Sequence, residues 1–309
     1  MNNQAQHIGD FMRGVLQNLS THTVFKGRTR LVRAVGQRLV PAAHATPCRM
    51  WDNSRMILDL HDPMQFDMYY GLYEPSMREL VCALLRPGDV MFDLGAHVGY
   101  FTIAGAKRVG AQGAVHAFEA LPANADALQA NVRANQMRNV HVNRVAVADA
   151  SGSILLHIPA QRDHDAGGAA TIMDFFPAAT ALDIPAVALD DYIAAQSVGR
   201  IALVKMDIEA AEVRALRGMM RTLASQPPRR ILSEVNTVRL RDSGYAPDIL
   251  HTMLATYGYT SWQIQRERLI AARADTQTAV SNVLFLAADD PLVRRGETVI
   301  SFQQLAAIQ

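Results

Sequence analysis

From residue 87 onward, short apolar runs alternate with stretches whose apolar residues recur at helical spacing. PGDVMFDLG (87–95) reads as a turn and a buried strand, and VGYFTIAGAKRV (98–109) as a helix. GAVHAFEA (113–120) reads as a strand. PANADALQANVRAN (122–135) reads as a helix with Pro122 in its first turn, where a missing N–H costs little. NVHVNRVAVA (139–148) and GSILLHI (152–158) are strand-like. IALVKMDI (201–208), AEVRALRGMMRTLA (211–224), RRILSEVN (229–236) and PDILHTMLATYG (247–258) continue as strand, helix, strand, helix. This alternation dictates an α/β fold with a mostly parallel sheet covered on both faces. YTSWQIQ (259–265) and SNVLFLAA (281–288) have no helix between them, so they are expected to pair as an antiparallel C-terminal edge. Residues 159–186 mix Gly, Pro, polar residues and Phe175–Phe176, and read as a long functional loop.

Ahead of this unit lies a helical extension. Ile8, Phe11, Met12, Val15, Leu16 and Leu19 fall at helical spacing, as do Leu31, Val35 and Leu39. Residues 1–50 carry seven Lys/Arg and one acid, a net charge of +6, which leaves −5 for the rest of a chain of net charge +1. Such helices suit a membrane surface, a second subunit (a homodimer through the N-terminal helices) or packing on their own domain. The expected division is an extension and cap over 1–78 and a ligand-binding domain over 79–309. The overall charge of +1 does not favour nucleic acid as a partner. No apolar run reaches the ~18–20 residues of a membrane span, so no transmembrane segment is expected. Cys48 and Cys82 show no paired spacing, and no secretory signal pattern is present. Both point to a cytoplasmic protein with free thiols.

The first strand ends in DLGAHVG (93–99). In an open parallel sheet, ligands bind beyond the carboxyl ends of the strands. Gly95 permits a tight turn, Ala96 and Gly99 keep side chains away from a ligand, and N–H groups at the following helix start can hold an anion. A dinucleotide fingerprint would be G-x-G-x-x-G, but here the glycines are Gly95 and Gly99 alone. Asp93 would repel a pyrophosphate and attract an ammonium. S-adenosylmethionine (SAM) carries both an ammonium and a carboxylate, so Asp93 is expected to meet the first and the turn N–H groups the second. Glu119 ends the second strand at the position from which an acid binds a ribose diol. Its alternative is an ordinary strand-end acid. Ala120, Val145 and Ala146 would flank the adenine. His97 and Tyr100 sit in and just after the turn and complete the cofactor residues there.

The chain resembles the FkbM family of SAM-dependent methyltransferases. The resemblance rests on YEPSM (73–77), PGDVMFDLGAHVGYFT, AVHAFEALPANADALQANVRAN, RVAVADASG, LDDYI (189–193), LVKMDIEAAEVRALRG (203–218) and ILSEVN (231–236), in the family's order over roughly residues 65–240. It implies a class I methyltransferase sheet of Rossmann-like form and methyl transfer from SAM, usually to a hydroxyl oxygen of a sugar, glycan or natural product. It also places Tyr73 and Glu74 near the cofactor. Two departures stand out: Glu119-Ala120-Leu121-Pro122 where the family has E-P-x-P, and Ala210 where it has glycine in D-x-E-G-A-E. Alanine tolerates a positive φ poorly, so Ala210 raises the expectation of a shifted loop.

Methyl transfer to oxygen needs alignment and removal of the hydroxyl proton. Asp207 ends its strand beside the expected methyl position and is assigned as base or anchor, with Glu209 second. Glu209 and Glu212 could instead serve only the helix start that follows. With Glu234 at the next strand end, crowded acids would raise at least one pKa, which suits a base. They could also hold a divalent cation such as Mg²⁺; no histidine lies there to suit zinc, and no residue is assigned as a metal ligand. His164 is a further candidate base on the long loop, and Phe175–Phe176 a candidate wall over the substrate. The competing readings are a non-catalytic SAM-fold binding module and an NAD-dependent oxidoreductase or epimerase.

Overall fold

The computed structural model describes residues 3–23, 25–159, 170–173, 178–271 and 278–308. His164, Phe175 and Phe176 lie outside the described residues. Strands β1 (Thr46–Arg49) and β2 (Arg55–Leu58) form an antiparallel hairpin. Then come β3 (Val90–Leu94), β4 (Ala114–Phe118), β5 (Val140–Asn143), β6 (Ala146–Val147), β7 (Gly152–Pro159) and β8 (Ala178–Val187). The chain continues through β9 (Leu203–Met206), β10 (Arg230–Asn236), β11 (Thr260–Gln265), β12 (Arg268–Ala271), β13 (Val280–Leu286) and β14 (Val299–Ser301).

Among the described residues the main sheet runs in the order β14-β12-β11-β13-β10-β9-β3-β4-β5. From β10 to β5 every neighbouring pair is parallel. From β10 to β14 every pair is antiparallel. The fold is α/β with a mostly parallel centre, as the alternation of runs requires. β11 and β13 do pair antiparallel, but they are not the edge. β12 and β14 extend the sheet beyond them, and at four and three residues these strands are too short to show a period in sequence.

A second correction concerns residues 178–187, read above as loop. They form β8, which runs antiparallel to β7 over the length of both and joins β6 in a separate three-stranded sheet. Pro185 argues against a strand interior because it cannot donate to a ladder. Pairing with β6 covers only Ala186 and Val187, so Pro185 lies just outside it.

The two-residue period of the strands sorts their side chains between two cores. Met91, Leu203 and Leu232 face one, while Phe92, Leu94, Val204 and Ile231 face the other. The first core also takes in Leu16, Val32, Met56, Leu58 and Leu80, so the N-terminal segment packs on the sheet layer. The helix Asn3–His22 does this with an unexpected face. Leu16, Gln17 and Ser20 are buried, with Gln17 Nε2 donating to the Tyr69 carbonyl at 2.9 Å and Ser20 Oγ to the Tyr70 carbonyl at 2.6 Å. Ile8, Phe11, Met12, Val15 and Leu19, from the same apolar stripe as buried Leu16, are exposed. No described helix is long and apolar enough to cross a membrane.

Candidate active site

A cleft of about 380 Å³ opens at the carboxyl ends of β3, β4, β9 and β10. This size lies within the range of ordinary small-molecule sites. Its wall includes Glu74, Gly95, Ala96, His97, Tyr100, Glu119, Ala120, Val145, Ala146, Asp207 and Glu209, together with Tyr73. The wall also holds residues that sequence reasoning did not assign to the site: Lys205, Arg239, Thr171 and Asn124, with Met64 and Met68 from the helix Pro63–Tyr69. Glu234 completes it.

The glycine turn is built tightly. Gly95 has φ +76, and a Cβ there would stand 2.0 Å from the Asp207 carbonyl oxygen. Gly99, at φ +96, is required for a different reason from the one expected. A Cβ there would meet Leu128 Cδ1 at 2.6 Å, so its absence lets the helix Pro122–Ala134 close on the turn. Gly99 does not line the cleft. The turn N–H groups are also committed elsewhere. Those of Gly95 and Ala96 donate to the Phe118 carbonyl, that of Gly99 to the Ala96 carbonyl, and that of His97 to Glu119 Oε2 at 2.8 Å. The carboxylate contact expected of this turn is therefore not on offer from these four groups.

Asp93 calls for a further correction. It is fully buried behind the wall, and Thr102 Oγ1 donates to its Oδ2 at 2.6 Å. The register pairs Asp93 with Lys205 across β3 and β9. Lys205 Nζ lies 3.8 Å from Asp93 Oδ1 and 3.4 Å from Asp207 Oδ2, and sits over the Phe101 ring. Burial opposes the charge on Lys205, but Asp207, Asp93 and Glu74 outweigh it and hold the ammonium up to about 12. Asp93 thus fixes a cation that faces the cleft, in place of meeting a ligand cation itself. A lysine inside the otherwise apolar run IALVKM was the signal, because lysine is rarely buried without a partner and a purpose.

Glu119 does face the cleft. Besides the His97 N–H, the Leu121 N–H donates to its Oε1 at 2.9 Å. The Asn124 side chain also hydrogen-bonds this carboxylate, whose oxygens keep further acceptor capacity. Burial pushes its pKa above the usual carboxylate range, and the two amides partly offset this. His97 is held neutral, with its pKa pushed down to about 4 by burial first and Lys205 second.

At the other flank the acids divide by partner. Asp207 stands beside Lys205, and Glu209 forms an ion pair with Arg239. Glu212 is buried and turned back, accepting from the Ile208 N–H at 3.0 Å, and burial raises its pKa to about 7. Glu234 is pushed up to about 8, by burial first and then by Asp207, Glu212 and Glu74. Glu234 has no neighbouring cation as close as those of Asp207 and Glu209. Glu74 reaches the cleft from a left-handed residue, φ +38, at the start of the helix Pro75–Leu84, and its pKa is raised by burial and Asp207.

Ala210 adopts φ +71, beside Glu209 at φ +57. The loop keeps a left-handed residue at 210 and carries alanine there. A left-handed L-residue costs about 1–2 kcal/mol, and glycine gives back roughly 0.5–1 kcal/mol in chain entropy. Ala210→Gly is therefore expected to stabilise the protein by about 0.5–1 kcal/mol. A urea midpoint that stays put or falls would contradict that strain.

A parallel sheet that turns antiparallel beyond β10, with a cleft at its carboxyl ends walled by strand-end acids, defines the class I SAM methyltransferase fold. Residues 93–261 match the family described as Methyltransferase FkbM domain, and the chain belongs to that family. It is similar to the 31-O-demethyl-FK506 methyltransferase FkbM of Streptomyces tacrolimicus, at 29% identity over 161 residues. That alignment covers 44% of this chain and 61% of the relative's length. Among solved structures, it is similar to a putative rRNA-methylase from Clostridium thermocellum, with TM-score 0.43 and 10% identity over 70% of this chain and 96% of that one. It is also similar to M. jannaschii TYW2 in complex with AdoMet, with TM-score 0.39 and 15% identity over 79% of this chain and 85% of that one.

Proposed function

We propose that the chain transfers a methyl group from SAM to a hydroxyl oxygen of a small-molecule or glycan acceptor. The observation that carries this is the pairing, in one cleft, of a carboxylate oriented by backbone amides at one flank with one of raised pKa at the other. Glu119 is oriented by two backbone N–H groups, and Glu234 is raised to about 8 by burial and like charges. The Streptomyces tacrolimicus relative is a 31-O-demethyl-FK506 methyltransferase by name, which supports an oxygen acceptor.

The residues present fit the cofactor. Glu119 would accept the ribose hydroxyls, and Ala120, Val145 and Ala146 would flank the adenine. Lys205 would hold the carboxylate, with Asp207 beside it for the ammonium. When bound, SAM supplies a methyl group on a sulfonium, an excellent leaving group. Glu234 would take the acceptor's hydroxyl proton, and the Glu209–Arg239 pair would shape the acceptor side. Met64, Met68 and Tyr73 exclude water from the site, and exclusion strengthens each of these charge interactions.

The test is incubation with SAM and a panel of hydroxylated glycans and macrocyclic natural products, reading S-adenosylhomocysteine formation. Turnover with a hydroxyl acceptor is the expected result. Saturable SAM binding without turnover on any hydroxyl, alongside turnover on an amine or thiol, would overturn oxygen as the acceptor. Failure of the folded protein to bind SAM would overturn the whole reading in favour of a binding module.

A further inference from the structure

We propose that His44, Asp59 and His61 form a binding site for a transition-metal dication of the zinc type. His44 Nδ1 lies 2.9 Å from Asp59 Oδ2, and His61 Nδ1 lies 3.1 Å from Asp59 Oδ1. The two rings overlap, with centroids 4.4 Å apart and planes 30° from parallel. One donor atom from each of the three residues lies within 4.8 Å of the others. Imidazole and carboxylate donors suit zinc, copper or nickel better than magnesium or calcium. With metal–ligand bonds of ~2.0–2.1 Å, adjacent donors of a tetrahedral ion are about 3.3 Å apart. The observed separations are already close to that edge, so an ion replaces two hydrogen bonds with little rearrangement.

The carboxylate is set in place by the backbone. The His61 N–H donates to Asp59 Oδ1 at 2.9 Å, and the Asp59 N–H donates to Gln65 Oε1 at 2.9 Å. The histidines remain largely open to solvent, so water can fill the remaining coordination positions.

The three residues come from two segments, with Asp59 and His61 in one connection. His44 precedes β1, Asp59 follows β2, and His61 leads into the helix Pro63–Tyr69. None of them lines the methyl-transfer cleft, but Met64 and Met68 on that helix do. A bound ion therefore clips the segment before β1 to the base of a cleft-wall helix. Its role is to hold the N-terminal cap against the cleft, outside the chemistry itself.

The test uses the full chain, treated with chelator and dialysed, then titrated with Co²⁺ and Zn²⁺. The expected result is a visible Co²⁺ absorption that saturates with a single strong site and is displaced by Zn²⁺ but not by Mg²⁺. His44→Ala and His61→Ala should each weaken binding by about 100-fold or more, since even outer-shell changes cost up to that. Zn²⁺ should raise the melting temperature of the parent and of neither variant. Circular dichroism checks that the variants fold, which the exposure of both rings favours. Equal Co²⁺ affinity in parent and variants would assign the binding to other groups and overturn the site. So would binding no tighter than millimolar with an unchanged melting temperature, which would leave only a hydrogen-bonded histidine–carboxylate cluster.

Discussion

Glu119→Ala is expected to weaken SAM binding by about 10²–10⁴-fold, because two hydrogen bonds to a charged acceptor, each worth roughly 1.5–3 kcal/mol, are lost. Calorimetric titration reads this directly. The substitution also strips the His97 and Leu121 N–H groups of their acceptor. A ligand-side measurement separates the two effects. A dideoxyribose analogue of S-adenosylhomocysteine should bind the parent far more weakly than S-adenosylhomocysteine does. In the Glu119→Ala protein the two ligands should bind alike. If the variant still discriminates between them, Glu119 does not hold the ribose.

Glu234→Gln is expected to lower kcat by about 10²–10⁴-fold while leaving SAM affinity nearly unchanged, the effect of removing a positioned base. A base must be ionised to act. With Glu234 at about 8, the parent's rate should rise with pH through the neutral range and level off above about 8. His97, held near 4, and Lys205, held near 12, do not change charge across that limb, and Glu212, raised to about 7, does not line the cleft. The limb should vanish in the variant. The same shift has a stability consequence of the opposite sense. A carboxyl whose folded pKa is raised stabilises the fold most below its unfolded value, near 4.5, and that contribution is lost as pH rises towards 8. Glu234→Gln should therefore flatten the decline in melting temperature over that window. A variant that keeps both its rate and its alkaline limb would remove Glu234 from the base role.

The parts of the site that could be read from the chain are those set by local pattern. The apolar runs place β3, β4, β9 and β10, and their last residues must then face a cleft. Gly95 is demanded by one turn, and Glu119 by its position at a strand end. Where local pattern failed, the cause was short range or competing chemistry. β12 and β14 are too brief to show a period, and Pro185 disguised β8. On the N-terminal helix the most apolar face is the exposed one, because Gln17 and Ser20 satisfy backbone carbonyls that an apolar side chain would leave bare.

By itself the sequence determined the order of elements, the glycine turn and the set of strand-end acids, since each depends on residues a few positions apart. Tertiary structure alone decided which charges meet. The β3–β9 register set Asp93 against Lys205 and turned a presumed ligand contact into the support of a buried cation. Packing gave Asp207 and Glu209 their cations, while burial and like charges raised Glu234 and its neighbours Glu212 and Glu74. The return of β2 beside the segment before β1 gathered His44, Asp59 and His61. Pairing and desolvation depend on neighbours far apart in the chain, so no spacing of residues could have shown them.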